Sequence, residues 1–293
     1  MNYHKKIFGP IIFILIILSV AVAHQFFYNQ KILKEIESQK TGDIAYQHLI
    51  TTKDVAPLPE TPGQRVKLPI LMYHHIGALP EKATSLRKDL TVSTEDFETQ
   101  VKWLAKNGYH TISLKDLYNY SLGKFILPEK PIIFTFDDGY QDVFVNAIPI
   151  LKKYGFVGSF AIITQYPGTQ NGDNIYASWD DITSAYLTGN EIVSHTQDHF
   201  DGSNPKYSSE FIHKNLCASK TDIKDRLGLD TNILIYPYGH YTAQYIKEAK
   251  SCGFDLGITV HEGNKINPKN LMEIPRVRVH GNETLEKFIQ LLY

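Results

Sequence analysis

The sequence predicts an α/β protein, a distorted (β/α)7-type barrel behind an N-terminal transmembrane or signal segment. The 293 residues are 43% hydrophobic and 21% charged, so the chain can bury a core of its own. Short β-branched runs alternate with helical segments that end in glycine, as in repeated strand–helix units. The run IIFTF (132–136) is almost entirely apolar, which suits a parallel strand covered on both faces. About seven such units favour a barrel over an open sheet.

The elements follow one another from residue 68 onward. The predicted strands, with the turns that follow them, cover residues 69–76, 110–114, 131–139, 158–164, 191–195, 232–239, 254–260 and 274–279. The predicted helices cover residues 96–108, 146–155, 179–189, 208–227 and 243–253, and a last helix closes the chain. Ser178 and Asp181 have the spacing of a capping box at the start of the third of these helices.

The N-terminal segment, residues 1–28, indicates export. Lys5 and Lys6 precede an uncharged run from residue 7 to 23, which is close to the shortest length that spans a bilayer. Basic residues stay on the cytoplasmic side, so the rest of the chain is expected outside, anchored in the membrane or released to the cell wall and medium. Residues 21–23 (AVA) match the A-x-A pattern at which a signal peptidase cuts. Cleavage and retention as a membrane anchor both stay open, with retention favoured. Residues 29–67 read as a Pro-rich stalk, and residues 68–293 as one domain.

Charge and cysteine content exclude several classes of protein. The 30 basic and 31 acidic side chains leave a formal charge of −1, which argues against nucleic acid as a partner. Two cysteines exclude a disulfide scaffold and a four-cysteine zinc module. Whether Cys217 and Cys252 form a disulfide is not decided by their spacing.

Polar clusters follow three predicted strands, at the edge where parallel α/β folds carry reactive groups. The first cluster holds Asp137 and Asp138, and the second holds His195 and His199. Each cluster alone has a common structural explanation. The adjacent aspartates could form a surface turn, and the two histidines could face solvent. Together, two imidazoles and a carboxylate form a three-ligand site with an open position, typical of a hydrolytic metal. In the third cluster, YPYG (236–239), proline and glycine fix a turn that leaves the amide of Tyr238 available to an oxyanion.

These clusters carry a resemblance to a known family. TFDDG (135–139), HTQDH (195–199) and the YPYG turn resemble, in that order, the first three motifs of the polysaccharide deacetylases (NodB-homology domain, carbohydrate esterase family 4). LPILMYHHIG (68–77) and EIPRVRV (273–279) resemble the poly-β-1,6-N-acetylglucosamine N-deacetylase branch in particular. The resemblance covers residues 68–293. It implies a metal-dependent hydrolase that removes N-acetyl groups from a cell-envelope or biofilm polymer, with poly-β-1,6-N-acetylglucosamine favoured.

The resemblance also implies roles for individual residues. Asp138, His195 and His199 would hold a divalent metal, zinc in the first place, with cobalt, nickel or iron as alternatives. Asp137 would be the general base. The backbone N–H of Tyr238 would stabilise the oxyanion.

Two departures from the family pattern affect the catalytic set. The wider family carries an arginine two residues before the proline of the third motif, where this chain has Ile235. Arg276 is the replacement that the branch resemblance suggests, and a surface cation on an edge strand is the alternative. The late histidine acid of the family has no clean match. His280 lies in a similar region but is expected to open a turn before the last helix, so the general acid stays open.

Three side chains are predicted to line the substrate site: His74, Tyr140 and Trp179. His74 and His75 follow the first strand, and because side chains alternate along a strand, at most one of them faces the site. Trp179 stands at a predicted helix start, where packing is the alternative role.

The predicted partners are an N-acetylated polysaccharide and the membrane. Three alternatives stay open. One is deacetylation of peptidoglycan or of chitin-type β-1,4 chains, and another is a non-catalytic carbohydrate-binding module at the cell surface. A glycosidase is the third, although adjacent carboxylates are poorly suited to flank a glycosidic bond.

Overall fold

The structure, a computed structural model, describes residues 65–293. The strands, numbered in chain order, are β1 (Val66–Lys67), β2 (Ile70–Tyr73), β3 (His75–Ile76), β4 (Thr91–Val92), β5 (His110–Thr111), β6 (Pro131–Phe136), β7 (Ser159–Ile162), β8 (Gln170–Asn171), β9 (Asn174–Ile175), β10 (Glu191–Ser194), β11 (Ile233–Ile235), β12 (Leu256–Glu262), β13 (Lys265–Ile266) and β14 (Ile274–Arg278). The helices are α1 (Ser85–Leu90), α2 (Thr94–Lys106), α3 (Leu114–Ser121), α4 (Ile148–Lys153), α5 (Trp179–Leu187), α6 (Ser209–Leu227), α7 (Ala243–Ser251) and α8 (Leu285–Leu291). A π-helical turn at Val143–Ala147 precedes α4, and a 3-10 turn at Pro237–Gly239 follows β11.

Seven parallel strands form a closed barrel in the part of the chain that the structure describes. Their order is β2, β14, β12, β11, β10, β7 and β6, and β6 pairs with β2 to close the ring. Strand β5 pairs with β6 outside the ring. The predicted (β/α)7-type barrel is therefore confirmed.

The side chains of β6 alternate between two cores, as the two-residue period of a strand requires. Ile132, Phe134 and Phe136 belong to the core that the outer helices cover. Ile133 belongs to a second core, to which neighbouring barrel strands contribute Ile70, Val193, Ile258 and Ile274. Residues 135 and 137 lie on the same side of β6 as Ile133, since side chains alternate along a strand. They therefore point into the barrel, at the carboxyl end of β6.

Helix ends agree with the capping signals in the sequence. The Ser208 side chain accepts a hydrogen bond from the Phe211 amide, and Gly228, in the left-handed region with φ 67°, ends α6. The capping box of Ser178 and Asp181 is present at the start of α5.

Some elements differ from the predicted ones. The predicted strand 69–76 breaks into β2 and β3. Helices α1 and α3 and the β8–β9 hairpin were not predicted, because they are short and mostly polar and show no long apolar period. The predicted helix 146–155 begins inside the π-helical turn.

Cys217 on α6 and Cys252, directly after α7, form a disulfide with their Cα atoms 5.1 Å apart. Within residues 65–293, no helix combines the length and apolar character needed to cross a bilayer. The predicted signal or anchor segment 1–28 and nearly all of the predicted stalk 29–67 lie outside the described residues.

Candidate active site

The three polar clusters meet at the carboxyl ends of the barrel strands. Asp137 and Asp138 follow β6, His195 follows β10, and the turn that carries Tyr238 follows β11. β10 pairs with both β7 and β11. Strand order therefore explains why clusters distant in sequence share one site.

Asp138, His195 and His199 form a compact cluster. The Nε2 atoms of His195 and His199 lie 3.2 Å and 3.1 Å from Asp138 Oδ1, and the three ligand atoms lie within 4.8 Å of one another. Asp138 and His199 have φ angles of 72° and 62°, in the left-handed region. Non-glycine residues there are strained, and such strain concentrates at functional sites.

The donor set fits a divalent cation. Asp138 Oδ1 is buried, and the two Nε2 atoms beside it are close to it without forming hydrogen bonds to it. His195 Nδ1 lies 2.8 Å from the carbonyl oxygen of Ile235. A proton on Nδ1 is donated to that oxygen, so the lone pair of Nε2 points to the cluster, as in metal sites with an oriented imidazole.

Charge within the cluster changes the pKa values of its members. Burial acts to raise the pKa of Asp138, but the two imidazoles outweigh it and hold that pKa well below its usual range. Burial acts to lower the pKa of His195, but the Asp138 carboxylate outweighs it and raises that pKa. Protons and a metal therefore compete for the same imidazole nitrogen.

Asp137 is held by Arg276. Nη1 and Nη2 of Arg276 donate hydrogen bonds of 2.8 Å and 2.7 Å to the two carboxylate oxygens of Asp137. The guanidinium also donates to the carbonyl of Thr259 and the hydroxyl of Thr135. Arg276 is 0% exposed and lies on β14 between β12 and β2, so it is neither a surface cation nor on an edge strand.

This contact keeps Asp137 ionised. Burial acts to raise the pKa of Asp137, and Arg276 outweighs it, so the pKa lies below its usual value. The arrangement satisfies the geometric requirement for the predicted orienting role of Arg276, since both oxygens of Asp137 are fixed by a bidentate pair.

Tyr238 lies in the left-handed region, with φ 59° and ψ 0°. It is the second residue of a three-residue 3-10 turn that starts with proline, and the first amides of a helical turn have no acceptor within it. Its ring centroid lies 4.6 Å from that of His199. The Tyr238 ring therefore lies beside the Asp138–His195–His199 cluster, and the role of its amide as oxyanion donor stays a prediction.

His74 and His75 face different environments. His74 Nε2 lies 4.0 Å from Asp137 Oδ2, and 17% of the His74 side chain is exposed. His75 is buried, with Nδ1 2.8 Å from Asp142 Oδ2 and its ring stacked on Tyr140. Asp142 could not be predicted from the sequence, because one acidic residue next to a helical turn carries no signal of its own.

The remaining candidates lie at different distances from this cluster. The Tyr140 ring stacks on His75, and burial, followed by the Asp138 charge, raises the pKa of its hydroxyl. Trp179 packs against the outer core, and the Arg226 guanidinium lies over its ring. His280 Nδ1 lies 2.7 Å from Asp89 Oδ1, so its contact is with α1. The sequence offered His280 as the candidate for the acid, but it is His74 Nε2 that lies 4.0 Å from Asp137 Oδ2.

One cavity adjoins the site, and a second lies beside His75 and Asp142. The first, of about 380 Å³, is lined by Asp198, His199, Asp201, Tyr207, Tyr238 and His240, among others. The other, of about 500 Å³, is lined by His75, Arg87, Asp142, Gln170, Asp173 and Ile175, among others. Both have the size of small-molecule sites.

A closed (β/α)7 barrel with an Asp–His–His cluster and an Arg-anchored aspartate at its carboxyl end has the site of a metal-dependent hydrolase. The family model for polysaccharide deacetylase matches residues 126–257. YxkH of Bacillus subtilis, named as a polysaccharide deacetylase, is 32% identical over 73% of this chain and 71% of its own length. The chain belongs to the polysaccharide deacetylase family.

Further relatives have more specific names. The poly-β-1,6-N-acetyl-D-glucosamine N-deacetylase of Staphylococcus aureus (strain MRSA252) is 30% identical over 69% of this chain and 72% of its own length. Among solved structures, the deacetylase PplD of Streptococcus pyogenes in complex with acetate matches with a TM-score of 0.70 and 26% identity, over 78% of this chain and 100% of that one. IcaB of Ammonifex degensii matches with a TM-score of 0.66 and 25% identity, over 79% of this chain and 96% of that one.

Proposed function

We propose that this protein is a metal-dependent polysaccharide N-deacetylase that hydrolyses the acetamide of N-acetylglucosamine residues in an extracellular polymer. The observation that carries the proposal is the pairing of two aspartates with separate partners. Asp138 faces two imidazole nitrogens, whereas the adjacent Asp137 is held by Arg276. One carboxylate is thus available as a metal ligand and the other as a base.

Asp138, His195 and His199 would hold the cation, and zinc is the metal we favour for two imidazoles and one carboxylate. When bound, such a cation acts as a Lewis acid on the amide carbonyl and lowers the pKa of a water molecule. The Ile235 carbonyl orients the His195 ring for this role.

The other side chains divide the proton transfers. Asp137, fixed by Arg276, accepts a proton from the attacking water. The amide N–H of Tyr238 donates to the developing oxyanion, which contributes about 3–4 kcal/mol in hydrolases that depend on one such donor. His74, 4.0 Å from Asp137, is the group we assign to protonate the departing amine nitrogen. The C–N bond breaks, and the products are acetate and a glucosamine residue.

Poly-β-1,6-N-acetylglucosamine is the polymer that we favour. This preference is supported by the name of the Staphylococcus aureus relative, whose alignment with this chain covers more than two thirds of each of the two proteins. The cavity of about 380 Å³, which His199 and Tyr238 help to line, is large enough for a sugar residue next to the reacting one.

Export places the enzyme where such a polymer lies. Lys5 and Lys6 before the apolar run 7–23 support a membrane anchor with the domain outside, and residues 29–67 would extend its reach. We therefore assign the protein to the cell surface and to maturation of an envelope or biofilm polysaccharide.

The test compares matched β-1,6 and β-1,4 N-acetylglucosamine oligomers as substrates of the full-length protein. Metal is stripped, then zinc, cobalt or buffer is added, and released acetate is measured. Zinc-dependent acetate from the β-1,6 oligomer in excess over the β-1,4 oligomer is expected. Preference for β-1,4 chains would overturn the substrate assignment but keep the reaction. Absence of acetate from both, with metal bound, would favour the carbohydrate-binding alternative.

A further inference from the structure

A second cluster of metal-ligating side chains lies on the outer helices. His213 and Cys217 are one turn apart on α6, and Cys252 directly follows α7. The ligand atoms of the three residues lie within 4.8 Å of one another. Because residues four apart share one face of a helix, His213 and Cys217 point to the same region.

The imidazole of His213 lies between an acidic side chain and the two sulfur atoms. Its Nδ1 lies 3.1 Å from Glu248 Oε2 and 3.0 Å from Ser251 Oγ. Its Nε2 lies 3.6 Å from Cys217 Sγ. Cys252 Sγ lies 3.7 Å from Nδ1, so the ring stands beside both sulfur atoms. A proton on Nδ1 donated to Glu248 leaves Nε2 unprotonated and able to bind a cation, as in the carboxylate–histidine–zinc arrangement.

The cluster is accessible from solvent. The His213 side chain is 46% exposed, and both cysteines are partly exposed. One imidazole nitrogen and two thiolates are a set that selects zinc or cobalt over magnesium or calcium, with water at the fourth position.

We propose that the reduced protein binds a zinc-like divalent cation through His213, Cys217 and Cys252, in exchange for the disulfide. An external dithiol gives two electrons and two protons to the disulfide, its own thiols become a disulfide, and Cys217 and Cys252 become thiols. On metal binding each thiol releases its proton to water, and two S–metal bonds form. The sulfur atoms separate by side-chain rotation, and Zn–S distances of about 2.3 Å follow.

The exchange keeps α6 linked to α7 in both redox states. The disulfide joins them in the oxidised protein, and the cation would join them through the same two sulfur atoms in the reduced one. The site is separate from Asp138, so its occupancy does not depend on the proposed deacetylase reaction.

The test uses cobalt, because thiolate ligands give Co²⁺ a near-ultraviolet charge-transfer band that carboxylate and imidazole ligands do not give. Full-length protein, stripped of metal, is titrated anaerobically in the oxidised form and after reduction with a phosphine that is then removed. The oxidised protein is expected to bind one equivalent without the thiolate band. The reduced protein is expected to bind a second equivalent with it.

Variants assign the second site. His213→Ala and Cys217→Ser are expected to remove the second equivalent, and Glu248→Gln to weaken it about 10- to 100-fold. His110→Ala, at an exposed histidine on β5, is the matched control and should leave both sites unchanged. Three outcomes would each overturn the proposal. The reduced wild-type protein could show no thiolate band, it could unfold on reduction without recovery on addition of cobalt, or the His213→Ala variant could bind both equivalents.

Discussion

Arg276 donates two parallel hydrogen bonds to Asp137, of 2.8 Å and 2.7 Å, inside a barrel where the arginine has no exposed surface. The two residues are 139 positions apart in sequence, on strand β14 and directly after β6. Both partners are buried, so each compensates the charge of the other.

Replacement of Arg276 by Gln is expected to destabilise the protein by about 3–5 kcal/mol, because it leaves the Asp137 charge buried and uncompensated. The acidic limb of the kcat/KM profile should move to higher pH, since Arg276 holds the pKa of Asp137 down against burial. Urea unfolding and a pH–rate profile measure the two effects. Arg278→Gln is the control, because Arg278 is partly exposed and pairs with Asp89. An unshifted acidic limb would contradict the orienting role.

Metal affinity is expected to rise with pH between about pH 5 and pH 8, with proton release on binding. The Asp138 carboxylate outweighs burial and raises the pKa of His195 in the metal-free protein, so protons compete at higher pH than for an ordinary histidine. The same shift means that His195 stabilises the metal-free protein at low pH, and that this contribution is lost as pH rises through its raised pKa. Calorimetric titration with zinc in two buffers of different ionisation enthalpy counts the protons. A pH-independent affinity would contradict this assignment.

His74→Gln is expected to lower kcat by about 10²- to 10⁴-fold, the usual contribution of a general acid, without loss of metal. The alkaline limb of the kcat profile should disappear with it. His280→Gln provides the comparison, since His280 contacts Asp89 and not the aspartate pair. If His280→Gln proves the more damaging variant, the acid is assigned to the wrong residue.

Glu191 is expected to make stability fall as pH rises from about 4.5 to 7. Burial outweighs the hydrogen bonds from Ser159, Leu114 and Lys115 and raises the pKa of Glu191 to about 7, from an ordinary value of 4.5. The folded state then holds the proton more tightly than the unfolded state in that range. Urea unfolding at several pH values should show this slope in the wild type and not in Glu191→Gln. An equal slope in both would assign the dependence to other groups.

The fold could be predicted because its strands and helices show their hydrophobic periods within short stretches of sequence. The apolar run 132–136 and the helix between Ser208 and Gly228 carry their own strand and capping signals. The short elements β8 and β9 carry no such signal, since two-residue strands depend on their pairing.

The residues of the candidate site could be predicted where they belong to a sequence motif. They were harder to predict where their role depends on which way a side chain points in the folded protein. Asp137 can contact Arg276 because the alternation of side chains along β6 directs residue 137 to the inside of the barrel. The sequence shows this only when the position of β6 in the barrel is known. Which of His74 and His75 faces Asp137 depends on the break between β2 and β3, and the pairing of Cys217 with Cys252 depends on the packing of α6 against α7. Neither has a signature in the spacing of residues.

The central claim is that Asp138 holds the metal and Asp137 performs the chemistry. Bound zinc and released acetate are therefore measured together on full-length wild type, Asp138→Asn and Asp137→Asn. We expect Asp138→Asn to lose both, and Asp137→Asn to keep its zinc while acetate release falls by about 10²-fold or more. Full zinc in Asp138→Asn, or wild-type acetate release by Asp137→Asn, would contradict the account.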